Sequence, residues 1–140
     1  MENYISTLYR LHDGSVAWIN ELEFMNDEQL FLEHLLSTHF LDLSSTKLYD
    51  TTRKLIKKLK EVEHMGLELS TEVRLHNNNI AKVLDEKKEE KTPVLIREHT
   101  VIEKNFESYS LKFKYVKKKI FSIIKEIMLV HKQKLLINKT

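Results

Sequence analysis

There is no cysteine among the 140 residues. That excludes disulfides, thiolate nucleophiles and cysteine-ligated zinc or iron–sulfur centres. Glycine occurs twice and proline once. Hairpin turns and phosphate-cradling loops need those residues, so their scarcity points to an all-α chain. It also leaves no P-loop, Rossmann fingerprint or nucleophile elbow. No run of eighteen apolar residues exists, so no transmembrane helix is expected. The opening stretch "MENYISTLYRLHDGSVAW" carries acids and no apolar core run, unlike a secretory signal. These absences together predict a soluble cytoplasmic protein with no membrane insertion.

What is present suits a single helical-bundle domain over residues 1–140. Hydrophobic residues make up 41% and charged residues 31%, enough to bury a core and keep a polar surface. The net charge of +2 is too small to imply nucleic acid. Its distribution says more. Residues 1–43 hold one basic and eight acidic side chains, and residues 92–140 hold eleven basic and four acidic. Oppositely charged segments packed side by side select a topology more than they add stability.

Three breakers punctuate the chain: Gly14, Gly66 and Pro93. Thr92–Pro93 reads as an N-cap followed by proline at the first helical position. Asp42, Ser44 and Ser45 offer turn and capping groups. The charge run "DEKKEEK" at 85–91 suits a helix end and loop. The chain thus divides into helical segments at about 3–39, 45–87 and 93–136. In the second, apolar positions recur at three–four spacing from Leu48 through Leu55, Leu59, Leu69 and Val73 to Val83. In the third they run from Leu95 through Phe106, Phe113 and Ile120 to Val130. This spacing predicts an antiparallel up-down-up bundle of three long helices with coiled-coil-like packing. A four-helix bundle, broken at Gly66 or near Asn77–Asn79, is the alternative. The first segment is less regular, and a kink or interruption is expected near Gly14.

Five apolar residues fall off these seams: Phe24 and Phe31 on the first segment, and Phe121, Met128 and Leu129 on the third. Surplus apolar surface of this kind marks an association face, and self-association is the first expectation. A separate protein partner is a further possibility on the same ground.

The candidate chemistry lies in "EVRLH" (72–76) and "HTVIE" (99–103). Glu72 and His76 are one i,i+4 pair, and His99 and Glu103 are another. Counting outward from the connection between these helices sets Glu72 level with Glu103 and His76 level with His99. His12 of the first segment falls near the same level. Imidazoles and carboxylates projecting inward suit iron or manganese, so His12, Glu72, His76, His99 and Glu103 form a candidate metal site. Polar residues at seam positions also fix register without any ligand. "EVEH" (61–64) matches the Glu-x-x-His spacing of di-metal bundles, but it occurs once and faces outward. Glu21 and Glu63 are expected to pair with basic groups of the third helix. The basic runs "RKLIKKLK" (53–60) and "KFKYVKKK" (112–119), with Tyr115 interleaved, would suit RNA or the ribosome.

"WINELEF", "EVEHM" and "REHTVIEKNFESY" together resemble a family of small uncharacterised bacterial helical-bundle proteins, over about residues 12–128. The resemblance implies a bacterial all-α bundle and directs attention to Trp18, Glu21, Glu63, His64 and His99. Three functions follow as expectations. The first is a non-enzymatic interaction or assembly module. The second is an iron- or manganese-binding bundle, and the third is an RNA-associated protein.

Overall fold

The computed structural model describes residues 3–44 and 47–138. The chain is an all-α helical bundle. Helix α1 spans Tyr4–Thr38, the short α2 Phe40–Ser44, α3 Tyr49–Glu86 and α4 Thr92–Asn138, with a 3-10 turn at Glu89–Lys91 before α4. No strand occurs among the described residues. The long helices follow one another up, down and up, so α1 and α4 each run antiparallel to α3. Ser45, read from the sequence as a turn or capping residue, lies outside the described residues.

The chain divides into two compact units. Unit 1 comprises Met1–Asn26 and His64–Ser110, and unit 2 comprises Asp27–Glu63 and Leu111–Thr140. Each draws a stretch from all three long helices. In unit 1 the core includes Leu8, Leu11, Ile80, Val83 and Leu95, with Tyr4 and Leu84 packed against it. Val73, Ile102 and Tyr109 are also buried there. In unit 2, Leu32, Leu43, Leu59, Val116, Ile120 and Ile127 are buried. The buried positions of α3 and α4 follow the three–four spacing from Thr52 to Val83 and from Leu95 to Ile127. Val130, one step beyond, is exposed.

Two local expectations are corrected. Helix α1 is not interrupted at Gly14 but continues through it from Tyr4 to Thr38. The hydrogen bonds of a helix survive one glycine at a cost of about 1 kcal/mol, and this glycine leaves room for the His99 ring. Thr92 is not an N-cap. Its φ of −57° and ψ of −44° are already helical, since the 3-10 turn leads directly into α4. Its Oγ1 is buried with no hydrogen-bond partner.

The end of α3 shows why the connection to α4 is short. Lys87 adopts φ 54°. The Lys88 amide bonds back to the Val83 carbonyl at 3.2 Å. This is a Schellman closure with a left-handed residue, usually glycine, just past the helix. A lysine there carries backbone strain.

Candidate functional site

The polar centre of unit 1 starts from one buried side chain. His76, at a seam position of α3, is fully buried. A buried imidazole needs partners for both ring nitrogens. Its Nδ1 lies 2.6 Å from Glu98 Oε1, and its Nε2 lies 2.9 Å from His99 Nδ1. A carboxylate only accepts, so His76 Nδ1–H donates to Glu98. In the neutral pair, His76 Nε2 then accepts from His99 Nδ1–H, and His99 Nε2 carries no proton. The three groups form a chain along which a proton taken up at one end reverses each bond in turn.

The walls hold this chain in place. The Trp18 ring lies 4.4 Å from the His99 ring, centroid to centroid, and Phe106 extends the aromatic wall at 6.2 Å from Trp18. Gly14, one turn before Trp18 on the same face of α1, continues the wall. A Cβ at that position would sit 3.2 Å from His99 Cε1 and Nε2, so the glycine lets the imidazole approach the α1 backbone. Gly66 serves Tyr109 in the same way, where a Cβ would lie 2.8 Å from the phenolic oxygen. Burial, the neighbouring His76 and the Arg10 charge push the His99 pKa down, and Glu103 partly offsets them. His99 is therefore held towards its neutral form.

The five residues read as a candidate metal set are dispersed around this centre. His76 and His99 meet. His12 bonds instead to Asn77, with 2.7 Å between Nδ1 and Oδ1. Glu72 is exposed and lines a groove of about 470 Å³ with Met65, Leu69 and Tyr109. Glu103 is exposed and acts on His99 through its charge. The carboxylate in contact with His76 is Glu98. Sequence reasoning missed it because the i,i+4 rule on α4 picks Glu103, whereas the rule across helices picks whichever side chain faces α3. Among the described residues, no group of three or more His, Asp or Glu is arranged to hold a metal ion. His64 pairs with Glu68 at 2.9 Å on an exposed face, as one i,i+4 pair.

Unit 2 has a different polar feature. Glu63, expected to meet basic groups of the last helix, hydrogen-bonds to Glu33 instead. Partial burial, that bond and the Glu33 charge raise its pKa to about 7, against a lowering from Lys60. One of its oxygens, Oε1, is buried without a hydrogen-bond partner. The pair is level with a groove of about 400 Å³, lined by Glu33, Leu36, Phe40, Ile56, Leu59 and Lys60. Across helices of this unit, Lys117 pairs with Glu28, and His131 Nε2 lies 2.9 Å from Asp42 Oδ2.

The five apolar residues set apart in the sequence all lie outside the core, with exposures from 42% for Phe121 to 65% for Phe24. Leu41 of α2 is exposed to 81%, and nothing in its local sequence distinguishes it from a core leucine. Tyr115, the aromatic of the basic runs, has the ammonium groups of Lys58 and Lys119 over its ring at 5.3 and 5.6 Å.

No protein-family model, curated protein or solved structure matches the chain.

Proposed function

We propose that this chain is a non-enzymatic interaction or assembly module that works by self-association through unit 2. The observation that supports it is Leu41, four-fifths exposed, next in sequence to the Phe40 that lines an open apolar groove. Projecting apolar side chains and an open apolar groove are the two halves that an isologous contact needs, in which each copy fills the other. Phe31, half exposed on α1, is a second projecting apolar side chain of this unit. The outward face of α1 in this unit carries Asp27 and His34 rather than a lysine row, so the excess positive charge of unit 2 lies on its other helices. The reading includes a bacterial, cytoplasmic setting, in keeping with the family resemblance.

Sedimentation equilibrium of the full chain tests it. The native chain is expected to sediment as a dimer or larger assembly, and the Leu41→Lys/Phe31→Lys variant as a monomer of unchanged helicity. A native chain that stays monomeric at every concentration sinks the reading.

A further inference from the structure

Between Leu111 and Asn138, α4 carries eight lysines and a single acid, Glu126. The ordering of these residues matters more than their number. Seven residues make nearly two helical turns, so residues seven apart form a column along one line of the surface. Lys118, Lys125 and Lys132 form one such column, and all are exposed. Phe121 and Met128 form a column on one side of it, and Leu129 and Leu136 a column on the other. These four apolar side chains are between 42% and 60% exposed. Steps of four residues link the columns: Phe121 to Lys125 to Leu129, then Met128 to Lys132 to Leu136.

That order decides between partners. A helix packed on this face would press on its middle and bury three ammonium groups, whereas coiled-coil seams keep apolar columns adjacent and place charge at the flanks. A second copy of α4 would also set lysine against lysine. RNA would use the lysines but leave the apolar columns in water, and Tyr115 has two of the protein's own ammonium groups over its ring. A bilayer surface uses both kinds of column. Apolar side chains enter between headgroups, and the lysine stems extend so that each ammonium stays at phosphate level. Unit 2 as a whole has fifteen basic and eight acidic residues, net +7, which favours anionic lipid. No helix of the described residues is long and apolar enough to cross a membrane, so the helix would lie on the surface.

We infer that the outward face of α4 from Lys118 to Leu136 docks on an anionic lipid surface. The inference rests on the reading that unit 2 carries working interaction surfaces, but on a different helix from the self-association face.

Co-sedimentation of the full chain with vesicles tests it, comparing phosphatidylcholine alone with an equal mixture of phosphatidylcholine and phosphatidylglycerol. Binding is expected to the mixed vesicles only, and to weaken as salt rises. The Lys118→Gln/Lys125→Gln/Lys132→Gln variant is expected to bind about a hundredfold more weakly. Phe121→Gln/Met128→Gln is expected to lose about tenfold while keeping all its lysines. All five positions are exposed, and circular dichroism would confirm that the fold is kept. Equal binding to both vesicle types, no binding to either, or full affinity in the lysine variant would each overturn the inference. So would full affinity in the apolar variant together with displacement by RNA, which would mark a plain polyanion surface. A chain that binds mixed vesicles as a monomer would refute self-association alone. A dimer indifferent to vesicles would refute the lipid inference alone.

Discussion

The two units solve the same packing problem with different side chains. Unit 1 has both glycines, the proline and the tryptophan, and it is acidic, with eight basic and thirteen acidic residues. Its interior is partly polar and aromatic: His76, Ser15, Phe106 and Tyr109 are buried, and the glycines admit rings from α4. Unit 2 has no glycine or proline and is strongly basic. Its interior is mainly Leu, Ile and Val, with Phe113, Gln29 and Thr52 also buried, and more large apolar side chains are exposed than in unit 1. The difference suggests a division of roles. Ring-into-glycine contacts and a directional hydrogen-bond chain tolerate one register, so unit 1 specifies the bundle. Aliphatic packing is more permissive, and unit 2 leaves its distinctive chemistry on the surface.

The strongest way to break this contrast is at His76. Replacing it with Ala leaves a cavity and removes the partner of both Glu98 and His99. The expected loss is about 3 kcal/mol in denaturant unfolding. Ile120→Ala in unit 2 creates a similar cavity and is expected to cost a similar amount. The informative substitution is His76→Leu, which restores apolar volume but not the hydrogen bonds. If His76→Leu is as stable as the native chain, the polar centre specifies nothing, and the two interiors are equivalent.

Next in size is Gly66→Ala. A methyl group suits a helix better than hydrogen by about 1 kcal/mol. Here it would stand 2.8 Å from the Tyr109 oxygen and 3.1 Å from Cζ. Tyr109 is 2% exposed, and its hydroxyl and two ring carbons all lie within 3.2 Å of the added methyl, so the whole ring has to shift. Overpacking is expected to win, with a net loss of about 2 kcal/mol. Gly14→Ala meets His99 at a softer 3.2 Å and should cost less. Thermal unfolding of the two variants, side by side, tests the order. A stabilised Gly66→Ala would mean that the tight fit of the ring does not hold the register.

These cases show what could be read in advance. The three–four spacing located nearly every buried position of α3 and α4, because periodicity is a property of the chain itself. The same count set His76 level with His99. The roles of the two glycines were hidden, since each depends on a ring carried by another helix, whereas locally a glycine signals only a break. Glu98 was hidden for a related reason: adjacent residues on a helix differ by about 100° in direction. Whether 98 or 103 faces His76 depends on the azimuth of α4, which spacing alone does not set. Glu33 beside Glu63 runs against charge pairing, so no rule of complementarity would have proposed it.

A smaller effect is expected at the connection within unit 1. Lys87 holds a left-handed conformation that glycine adopts without strain. Lys87→Gly is expected to stabilise by about 1 kcal/mol. Chemical denaturation measures it, and an unchanged or lower midpoint would show that the flexibility added to the unfolded chain outweighs the relief of strain.

The finest test of the contrast is pH, because the units should respond in opposite directions. The His99 pKa lies below its usual 6.5 when folded. Its contribution is therefore complete above 6.5 and is lost as pH falls through the folded value, where the unfolded chain binds the extra proton. Glu63 is the reverse. Its pKa rises from 4.5 to about 7 on folding, so its contribution is complete below 4.5 and is lost as pH rises through about 7. Glu63 is largely solvent-screened, which keeps this the smallest of the effects. Hydrogen exchange resolved along the chain separates the two. Between pH 7 and 5, amides of unit 1 should lose protection relative to those of unit 2, after correction for the intrinsic exchange rate. Glu63→Gln should remove the unit 2 trend, because a neutral amide can donate permanently to Glu33. Parallel trends in both units would show that the chain opens as one body at these pH values, leaving the contrast between the interiors one of composition and not of local stability.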